Sequence, residues 1–267
     1  MNAPRYLCSV AALLTLSACA STSHEHDPHQ DLGILWVKHS AEYQAIAMQV
    51  YRDAREDLPR LLEDRTWNAM TGYGEASTLP AAVILDIDET VVSNVEFQIS
   101  FERPFANHKL DSWSASRDSL AVPGVQSFVG AARELGITVF FVTNRPCEAI
   151  AGNDDPCPQK QTTIDDIREI GIAVEPEYVM LANERPGWDR EKQVRREVVA
   201  RTHRVIMLIG DDLSDFIACV RESPHGACTE AATSESRAEA LERYADFWGN
   251  GWYILPNPMH GSWTSFD

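Results

Sequence analysis

Residues 81–90, which read AAVILDIDET, constrain the possible folds of this chain more than any other segment. Five apolar residues in a row, without polar alternation, are typical of a strand that is covered on both faces, as in a parallel sheet between helices. Asp86 and Asp88 follow this run, and sheets of this kind bind ligands at the carboxyl ends of their strands. Two close carboxylates resist ionising together, so we expect a divalent cation beside them. The alternative for this segment alone is a solvated acidic turn.

The composition limits the class of partner. The chain has 267 residues, of which 44% are hydrophobic, so it can bury a sizeable core. Its formal net charge of −17 argues against a nucleic-acid polymer as partner, because a phosphate backbone is bound by clustered Lys and Arg. A small phosphorylated substrate is compatible with this charge, since a metal ion can reverse the local potential in one pocket.

The N-terminus has the pattern of an export signal over residues 1–18, with a positive start at Arg5 and a short apolar stretch from Val10 to Leu16. This stretch is too short to span a bilayer. The sequence Leu-Ser-Ala-Cys that ends at Cys19 resembles the lipobox of bacterial lipoproteins, which implies lipidation of Cys19 and a membrane anchor. By resemblance to enterobacterial sorting signals, Ala20 favours the outer membrane, with the protein facing the periplasm or the surface.

Four cysteines lie beyond this region: Cys147, Cys157, Cys219 and Cys228. They allow three pairings. We favour the two pairs that are closest in sequence, each of which closes a short loop containing Pro or Gly, in an oxidising compartment. A structural zinc site is the less favoured alternative, since the chain has no CxxC pair and no suitably interleaved histidine.

The rest of the chain divides into a polar, lipidated tether at 19–32, an N-terminal helical segment at 33–78, and a core at 79–267. Pro59 predicts a break that splits the N-terminal helix in two. The helix should pack on the core or against helices near the C-terminus, through an apolar stripe of Ile46, Val50, Ala54, Leu58 and Leu61, with Ala47 and Tyr51 beside it. An insert at 95–121 has no long periodic element and supplies a candidate wall of the site with Phe97, Phe101, Phe105 and Trp113.

Apolar runs alternate with helical patterns along the core, which predicts a Rossmann-like α/β fold with a mainly parallel sheet flanked by helices. Besides 81–85, the runs are ITVFFV at 137–142, 178–181, VIMLIG at 205–210 and WYILPN at 252–257. A basic helix is expected at 189–201. No internal repeat is visible.

Three of these runs end in polar residues that should meet at one edge of the sheet. They end in DxDxT from Asp86, in Thr143-Asn144, and in GDDxxD from Gly210, and Lys192 lies on the basic helix between the last two. The order and type of these four motifs resemble the haloacid dehalogenase superfamily.

The resemblance implies a division of labour between the aspartates. Asp86 would be the nucleophile that forms an aspartyl-phosphate, and Asp88 would be the general acid and later the base. That role needs a raised pKa at Asp88. The carboxylate of Asp86, the main-chain carbonyl of Asp88, and Asp211 would bind Mg²⁺, which prefers hard oxygen ligands. Asp215 would bind it in a second shell or through water.

The resemblance also implies phosphate-binding groups. Thr143 and Asn144 would hydrogen-bond phosphoryl oxygens, and Lys192 would offset their charge. Asp212 would share the task of Asp215. The alternatives are that Lys192 only belongs to a solvated basic helix and that Thr143 only caps the end of its strand.

A narrower resemblance rests on the lipobox, DIDET, WSASRDSLAVPG, TNRP with two nearby cysteines, GDDLSDF, and the tail LPNPMHGSW. Together these are similar to the secreted class C acid phosphatases, bacterial lipoproteins of which several act as 5′-nucleotidases. The similarity covers residues 33–267. It implies a core without a large mobile cap, bordered by a small helical subdomain that is built from terminal and inserted segments. An acid at position 88 also favours phosphatases over dehalogenases of this superfamily.

The same family implies how the substrate is held, since it stacks a nucleobase between two aromatic residues. Trp113 matches the first position, and His260 stands where the second is usually tyrosine. Arg145 is a further possible substrate contact. We therefore expect Mg²⁺-dependent hydrolysis of phosphate monoesters, with nucleoside 5′-monophosphates as the substrates.

Two alternatives stay open: a broad acid phosphatase or phosphotransferase, and a haem-binding outer-membrane lipoprotein. The family also makes a homodimer plausible.

Overall fold

The computed structural model describes residues 28–73, 78–101, 105–116 and 119–266. The export signal, Cys19 and residues 19–27 of the tether lie outside the described residues, so lipidation and an outer-membrane location stay predictions. The proposed domain limits and the homodimer stay predictions as well. Within the described ranges, no helix combines the length and the apolar character that a membrane span needs.

The described residues contain seven strands and eight α-helices. The strands are β1 (Ala81–Leu85), β2 (Val92–Ser93), β3 (Leu120–Ala121), β4 (Thr138–Pro146), β5 (Val179–Ala182), β6 (Arg204–Gly210) and β7 (Trp252–Ile254). The helices are α1 (Pro28–His39), α2 (Ala41–Glu63), α3 (Val95–Ser100), α4 (Asn107–Ser114), α5 (Val125–Glu134), α6 (Pro158–Glu169), α7 (Gln193–Ala200) and α8 (Ser234–Arg243).

Five strands form one parallel sheet in the order β5-β4-β1-β6-β7, with the predicted central strand in the middle. Every residue of β1 is buried. Val83 and Leu85 pack into one apolar cluster, while Ala82 and Ile84 pack into a second cluster on the other face. The unbroken apolar run is explained by this burial on both faces, and the predicted mainly parallel α/β fold is confirmed.

The predicted break at Pro59 is wrong, because α2 continues through this residue to Glu63. Proline removes one backbone donor from a helix. The burial of Leu58 and Leu61 on either side of it opposes that loss. The helical segment is instead divided at Ser40, whose side chain accepts a hydrogen bond from the amide of Tyr43 at 3.0 Å and so caps α2.

The apolar stripe of α2 is rotated relative to the predicted one. Ile46 is 40% exposed, whereas Ala47 and Tyr51 are buried. The hydroxyl of Tyr51 donates to the main-chain oxygen of Thr90 at 2.6 Å, which turns this face towards the end of β1. As expected, α2 packs on the core, where it contacts α5. At Gly124, where φ is +101°, any side chain would collide with Tyr51.

The insert at 95–121 contains two short helices, α3 and α4, and its end pairs as β3 with β2. α1 packs against α3, and α4 packs against α6. A small helical layer beside the carboxyl ends of the strands is therefore built from terminal and inserted segments.

Two disulfides close short loops. Cys147 is bonded to Cys157, and Cys219 is bonded to Cys228. This is the pairing that was favoured from the sequence. The four cysteines are therefore not free to form a structural zinc site.

Candidate active site

The carboxyl ends of β1, β4 and β6 open onto a cleft of about 540 Å³. Its lining includes predicted site residues from all four motifs, namely Asp86, Asp88, Asn144, Lys192, Asp211 and Asp215. A tight turn after β1 begins this arrangement, with the amides of Val91 and Val92 bonded to the oxygen of Ile87. Within it, Glu89 takes a left-handed backbone conformation with φ of 59°, which costs energy for a residue with a side chain.

Lys192 connects two of the aspartates. Its ammonium group donates to Asp86 and also to Asp215, the latter at 2.6 Å. All three residues are buried. The alternative of a solvated basic helix is therefore excluded for Lys192, and two other members of that segment, Arg195 and Arg196, are also buried.

Three carboxylates form a compact acidic cluster. Asp86, Asp211 and Asp215 each offer an oxygen within 4.8 Å of the others. Burial, Asp215 and Asp88 raise the pKa of Asp86 to about 7, although Lys192 opposes them. Burial and the neighbouring Asp86 and Asp215 raise the pKa of Asp211 well above its usual value. Both raised pKa values mean that carboxylates this close together resist carrying their negative charges at the same time.

The donor set of this cluster fits a hard divalent cation. It presents carboxylate oxygens, which are the ligands that such a cation prefers. The raised pKa values of Asp86 and Asp211 show that their surroundings disfavour the charged forms, and a bound cation would stabilise those forms. Asp211 is held in place by hydrogen bonds from Thr90 Oγ1 at 3.1 Å and Asn257 Nδ2 at 2.7 Å. Asp215 commits one oxygen to Lys192 and accepts the amides of residues 211 and 212 with the other.

Asp88 has an environment opposite to the expected one. Burial alone would raise its pKa, but the ion pair and hydrogen bonds with Arg145, together with a hydrogen bond from Asn94 at 2.7 Å, lower it. The predicted raised pKa is therefore wrong in this structure. The physical reason is the buried guanidinium beside the carboxylate, which favours its charged form.

Arg145 and Thr143 are both engaged with Asp88. Arg145 lines the cleft and bridges Asp88 at 2.8 Å and Asp166 at 2.5 Å, so it positions these two carboxylates, and its contact with a substrate stays a prediction. Thr143 is fully buried, donates to Asp88 at 3.2 Å and accepts from the amide of Arg145. Thr143 is not among the described residues that line the cleft.

Asn144 lines the cleft, and a buried arginine orients it. Its contact with phosphate stays a prediction. Arg195 Nη2 donates to Asn144 Oδ1 at 2.7 Å, and Nη1 donates to the oxygen of Thr143. The role of Arg195 was not recognised from the sequence. The spacing could have indicated this role. Arg195 follows Lys192 by three residues, and residues three apart on a helix lie on the same face.

The C-terminal tail closes over the acidic cluster. Besides Asn257, Ser262 anchors it by donating its amide and its hydroxyl to Asp212. Asp212 therefore fixes the tail instead of sharing the task of Asp215, and its pKa is lowered to about 2 by Arg221 and these hydrogen bonds, against the effect of burial. The roles of Asn257 and Ser262 were not recognised from the sequence, since nothing local in it marks a contact with the aspartates that follow β6.

His260 lines the cleft, as expected for a substrate-binding residue. Its Nε2 lies 3.4 Å from Oε1 of Glu89. Burial disfavours the charged imidazole, but Glu89 outweighs this effect, and the pKa of His260 is raised.

The aromatic wall differs from the one expected. Phe101 and Phe105 line the cleft. Trp113, among the described residues, does not line it, and its ring packs 5.8 Å from that of Phe97, which is buried. The structure thus brings His260 to the cleft but not Trp113, because α4 turns this side chain towards the insert.

A parallel sheet that ends in a lysine-bridged aspartate cluster defines an α/β enzyme built for chemistry on an anionic group. Residues 6–263 match the model of the family described as HAD superfamily, subfamily IIIB (Acid phosphatase). The chain therefore belongs to this family of haloacid dehalogenase-like acid phosphatases, and it is a phosphomonoesterase. The resemblance drawn from the four motifs is confirmed.

Solved structures agree with this assignment. The class C acid phosphatase from Bacillus anthracis is 25% identical, with a TM-score of 0.67 over 88% of this chain and 86% of that one. A crystal structure of the class C acid phosphatase from the same organism with tungstate bound is 24% identical and has a TM-score of 0.66, over the same shares of the two chains. Phosphatases of this superfamily generally use a divalent metal, in keeping with the acidic cluster.

Proposed function

We propose that this acid phosphatase hydrolyses nucleoside 5′-monophosphates through a phosphorylated Asp86, with Mg²⁺ as its cofactor. The observation that carries the proposal is the Lys192 ammonium, which contacts the carboxylate of Asp86 inside a cleft that also exposes two phenylalanine rings. An anionic nucleophile, a cation for the transferred group and an apolar surface for a base are thereby combined.

In the first step, an oxygen of Asp86 attacks phosphorus as the bond to the ester oxygen breaks. The leaving alkoxide takes the proton of Asp88. Lys192 faces both Asp86 and the incoming phosphoryl group, so it offsets the charge that develops there. In the second step, water attacks the phosphorus atom on Asp86 while Asp88 accepts a proton of that water. The bond between phosphorus and the Asp86 oxygen breaks, inorganic phosphate leaves, and the Asp86 carboxylate and the protonated Asp88 are restored.

The low pKa of Asp88 suits the second step, in which it must accept a proton. For the first step, the bound phosphate dianion places negative charge close to Asp88 and so raises its pKa. Arg145 and Asn94 keep the carboxylate oriented in both steps.

The acidic cluster would hold Mg²⁺ through Asp86, Asp211 and Asp215, where the ion supplies positive charge for the phosphoryl oxygens. A nucleobase would lie against Phe101 and Phe105 at the apolar part of the cleft, with His260 nearby. Stacking on aromatic side chains tolerates different bases.

The test compares wild type with Asp86→Asn and Asp88→Asn, with Mg²⁺ and with chelator, on adenosine 5′-monophosphate and on glycerol 1-phosphate. We expect Asp86→Asn to be inactive, and Asp88→Asn to accumulate a phosphoryl group on the peptide that contains Asp86, detected by mass spectrometry. Full turnover by Asp86→Asn would exclude the covalent step. Equal kcat/KM for the two substrates would exclude the nucleotide preference while leaving the phosphatase intact.

A further inference from the structure

Two arginines in the cleft have no part in the chemistry described so far. Arg190 and Arg221 line the same cleft as Asp86 and Lys192. Arg190 precedes Lys192 by two residues, whereas Arg221 lies in the segment that follows β6. The chain as a whole carries a net charge of −17. Two guanidinium groups in the lining of the cleft therefore give this part of the surface a positive charge that is opposite in sign to that of the whole protein.

The two arginines differ in how their charge is balanced. Arg221 Nη2 donates to Ser214 Oγ at 2.6 Å, and its guanidinium lies 3.8 Å from Asp212, so it is held in place. Asp212 also accepts hydrogen bonds from the amide and the hydroxyl of Ser262 in the tail and from the amide of Ser214. Arg190, in contrast, is in none of the ion pairs found among the residues that the structure describes. Burial and the like charge of Arg221 both oppose the charged form of Arg190 and lower its pKa, with Asp212 acting against them.

These arginines belong to the β6 side of the cleft. Arg221 contacts residues 212 and 214, directly after β6. Arg190 lies beside the segment that contains Arg221, because the next residue, Glu191, accepts a hydrogen bond from the amide of Cys219 at 3.1 Å. Hydroxyl groups of the tail line the cleft as well, at Ser262, Thr264 and Ser265.

Another part of the lining has the opposite character. Phe101, Phe105 and Asp111 come from the insert, whose α4 packs on α6, and Glu148 follows β4. In the strand order, β4 and β6 lie on opposite sides of β1, which carries Asp86. A substrate whose phosphate lies at Asp86 thus has the aromatic rings on its β4 side, where the one guanidinium group, that of Arg145, is bound to Asp88 and Asp166, and it has Arg190 and Arg221 on its β6 side.

We propose that Arg190 and Arg221 form a second anion subsite, which selects phosphomonoesters carrying a further phosphate or carboxylate group. The phosphate to be cleaved lies at Asp86 and Lys192, and the second anionic group lies between the two guanidinium groups, relieving their mutual repulsion. The inference rests on the proposed phosphatase activity and names the class of substrate for that site. Planar guanidinium groups suit both carboxylate and phosphate because they donate two hydrogen bonds in parallel.

The test measures kcat/KM for two pairs of substrates. Adenosine 3′,5′-bisphosphate and adenosine 5′-monophosphate differ by a second phosphate, and 3-phosphoglycerate and glycerol 1-phosphate differ by a carboxylate. We expect wild type to prefer the bis-anionic member of at least one pair. Arg190→Gln should reduce this preference about tenfold, since charge-assisted hydrogen bonds are the strong ones. Arg190→Lys should restore part of it, and added salt should weaken it in wild type.

Arg185→Gln is the matched control, because Arg185 is an exposed arginine of the same segment that stacks over Trp188 and lies outside the cleft lining. It should leave the preference at the wild-type value. The subsite is excluded if wild type cleaves both members of each pair equally well, or if Arg190→Gln lowers kcat/KM for all four substrates by the same factor. Absence of turnover with every substrate would instead contradict the phosphatase itself, so the two failures are distinguishable.

Discussion

Arg145 holds Asp88 through three contacts, with Nε at 3.0 and 3.2 Å from the two carboxylate oxygens and Nη2 at 2.8 Å from one of them. The remaining donor, Nη1, is bound to Asp166, whose side chain is fully buried. A carboxylate on α6 therefore fixes the arginine that fixes the second aspartate of the first motif. This connection makes the orientation of Asp88 depend on a residue that never contacts the cleft.

Asp166→Asn should destabilise the fold and lower the activity together. It leaves the buried guanidinium with a single anionic partner, and removing one member of a buried ion pair costs about 3 kcal/mol or more. We expect a loss of about 3 kcal/mol in urea unfolding, and a lower kcat with little change in KM, because Asp88 is less well oriented while the substrate contacts remain. Asp165→Asn on the same helix is the control, and comparable losses in it would contradict the assignment.

Asn257→Ala should weaken metal activation. The amide of Asn257 orients Asp211 at 2.7 Å, and residues that orient a ligand in this way typically contribute about 10- to 100-fold in metal affinity. The Mg²⁺ concentration for half-maximal activity should rise by a factor in this range, at unchanged activity under saturating Mg²⁺. Asn250→Ala changes an asparagine of the same C-terminal region that contacts Arg60 instead, and it should leave the activation curve unchanged. An unshifted curve for Asn257→Ala would mean that Asp211 needs no such support.

Phe105→Ala should impair the use of nucleotides more than Trp113→Ala does. Phe105 lines the cleft and is 53% exposed, so it has apolar surface available for a base, whereas Trp113 packs against Phe97. Loss of one stacked aromatic typically costs about 1–3 kcal/mol per base. KM for adenosine 5′-monophosphate should therefore rise at least about fivefold in Phe105→Ala, with KM for glycerol 1-phosphate unchanged. A larger effect at Trp113 would restore the assignment made from the sequence.

The sheet and the convergence of the motifs were predictable because each depends on short-range patterns and one topological rule. β1 is an unbroken apolar run because both of its faces are covered, and residues that follow parallel strands must share one edge. Asp86 and Asp211 could thus be placed together from these rules, whereas Lys192 was placed with them by the resemblance of the four motifs. The predicted ends of the strands were also close to the observed ones, since the apolar runs end where the polar residues of the site begin.

The partners of the site residues were not predictable in the same way. Arg145 could equally face a substrate or a carboxylate, and only the packing of α6 on the sheet brings Asp166 to it. The contact of Asn257 with Asp211 joins residues that are 46 positions apart. Trp113 is an aromatic residue on a short helix, and its direction is fixed by Phe97 rather than by its own position in the sequence.

His203 should make part of the stability of the fold depend on pH. Its ring packs edge-on against Phe140 at 5.0 Å, and burial lowers its pKa from the ordinary value of 6.5. The unfolded chain therefore binds this proton more readily than the folded chain does. The stability that a neutral His203 contributes is fully present above about pH 6.5 and is lost as the pH falls towards the lower folded value.

The difference in Tm between about pH 7.5 and about pH 5.5 should accordingly be smaller in His203→Gln, which cannot titrate, than in wild type. His39→Gln is the control, because His39 is exposed on α1, and it should keep the wild-type difference. Both variants are compared at the same ionic strength, since salt screens the carboxylates that titrate in the same range. If His203→Gln lost as much Tm on acidification as wild type, the acid sensitivity would have to come from carboxylates alone, and the contact with Phe140 would serve packing only.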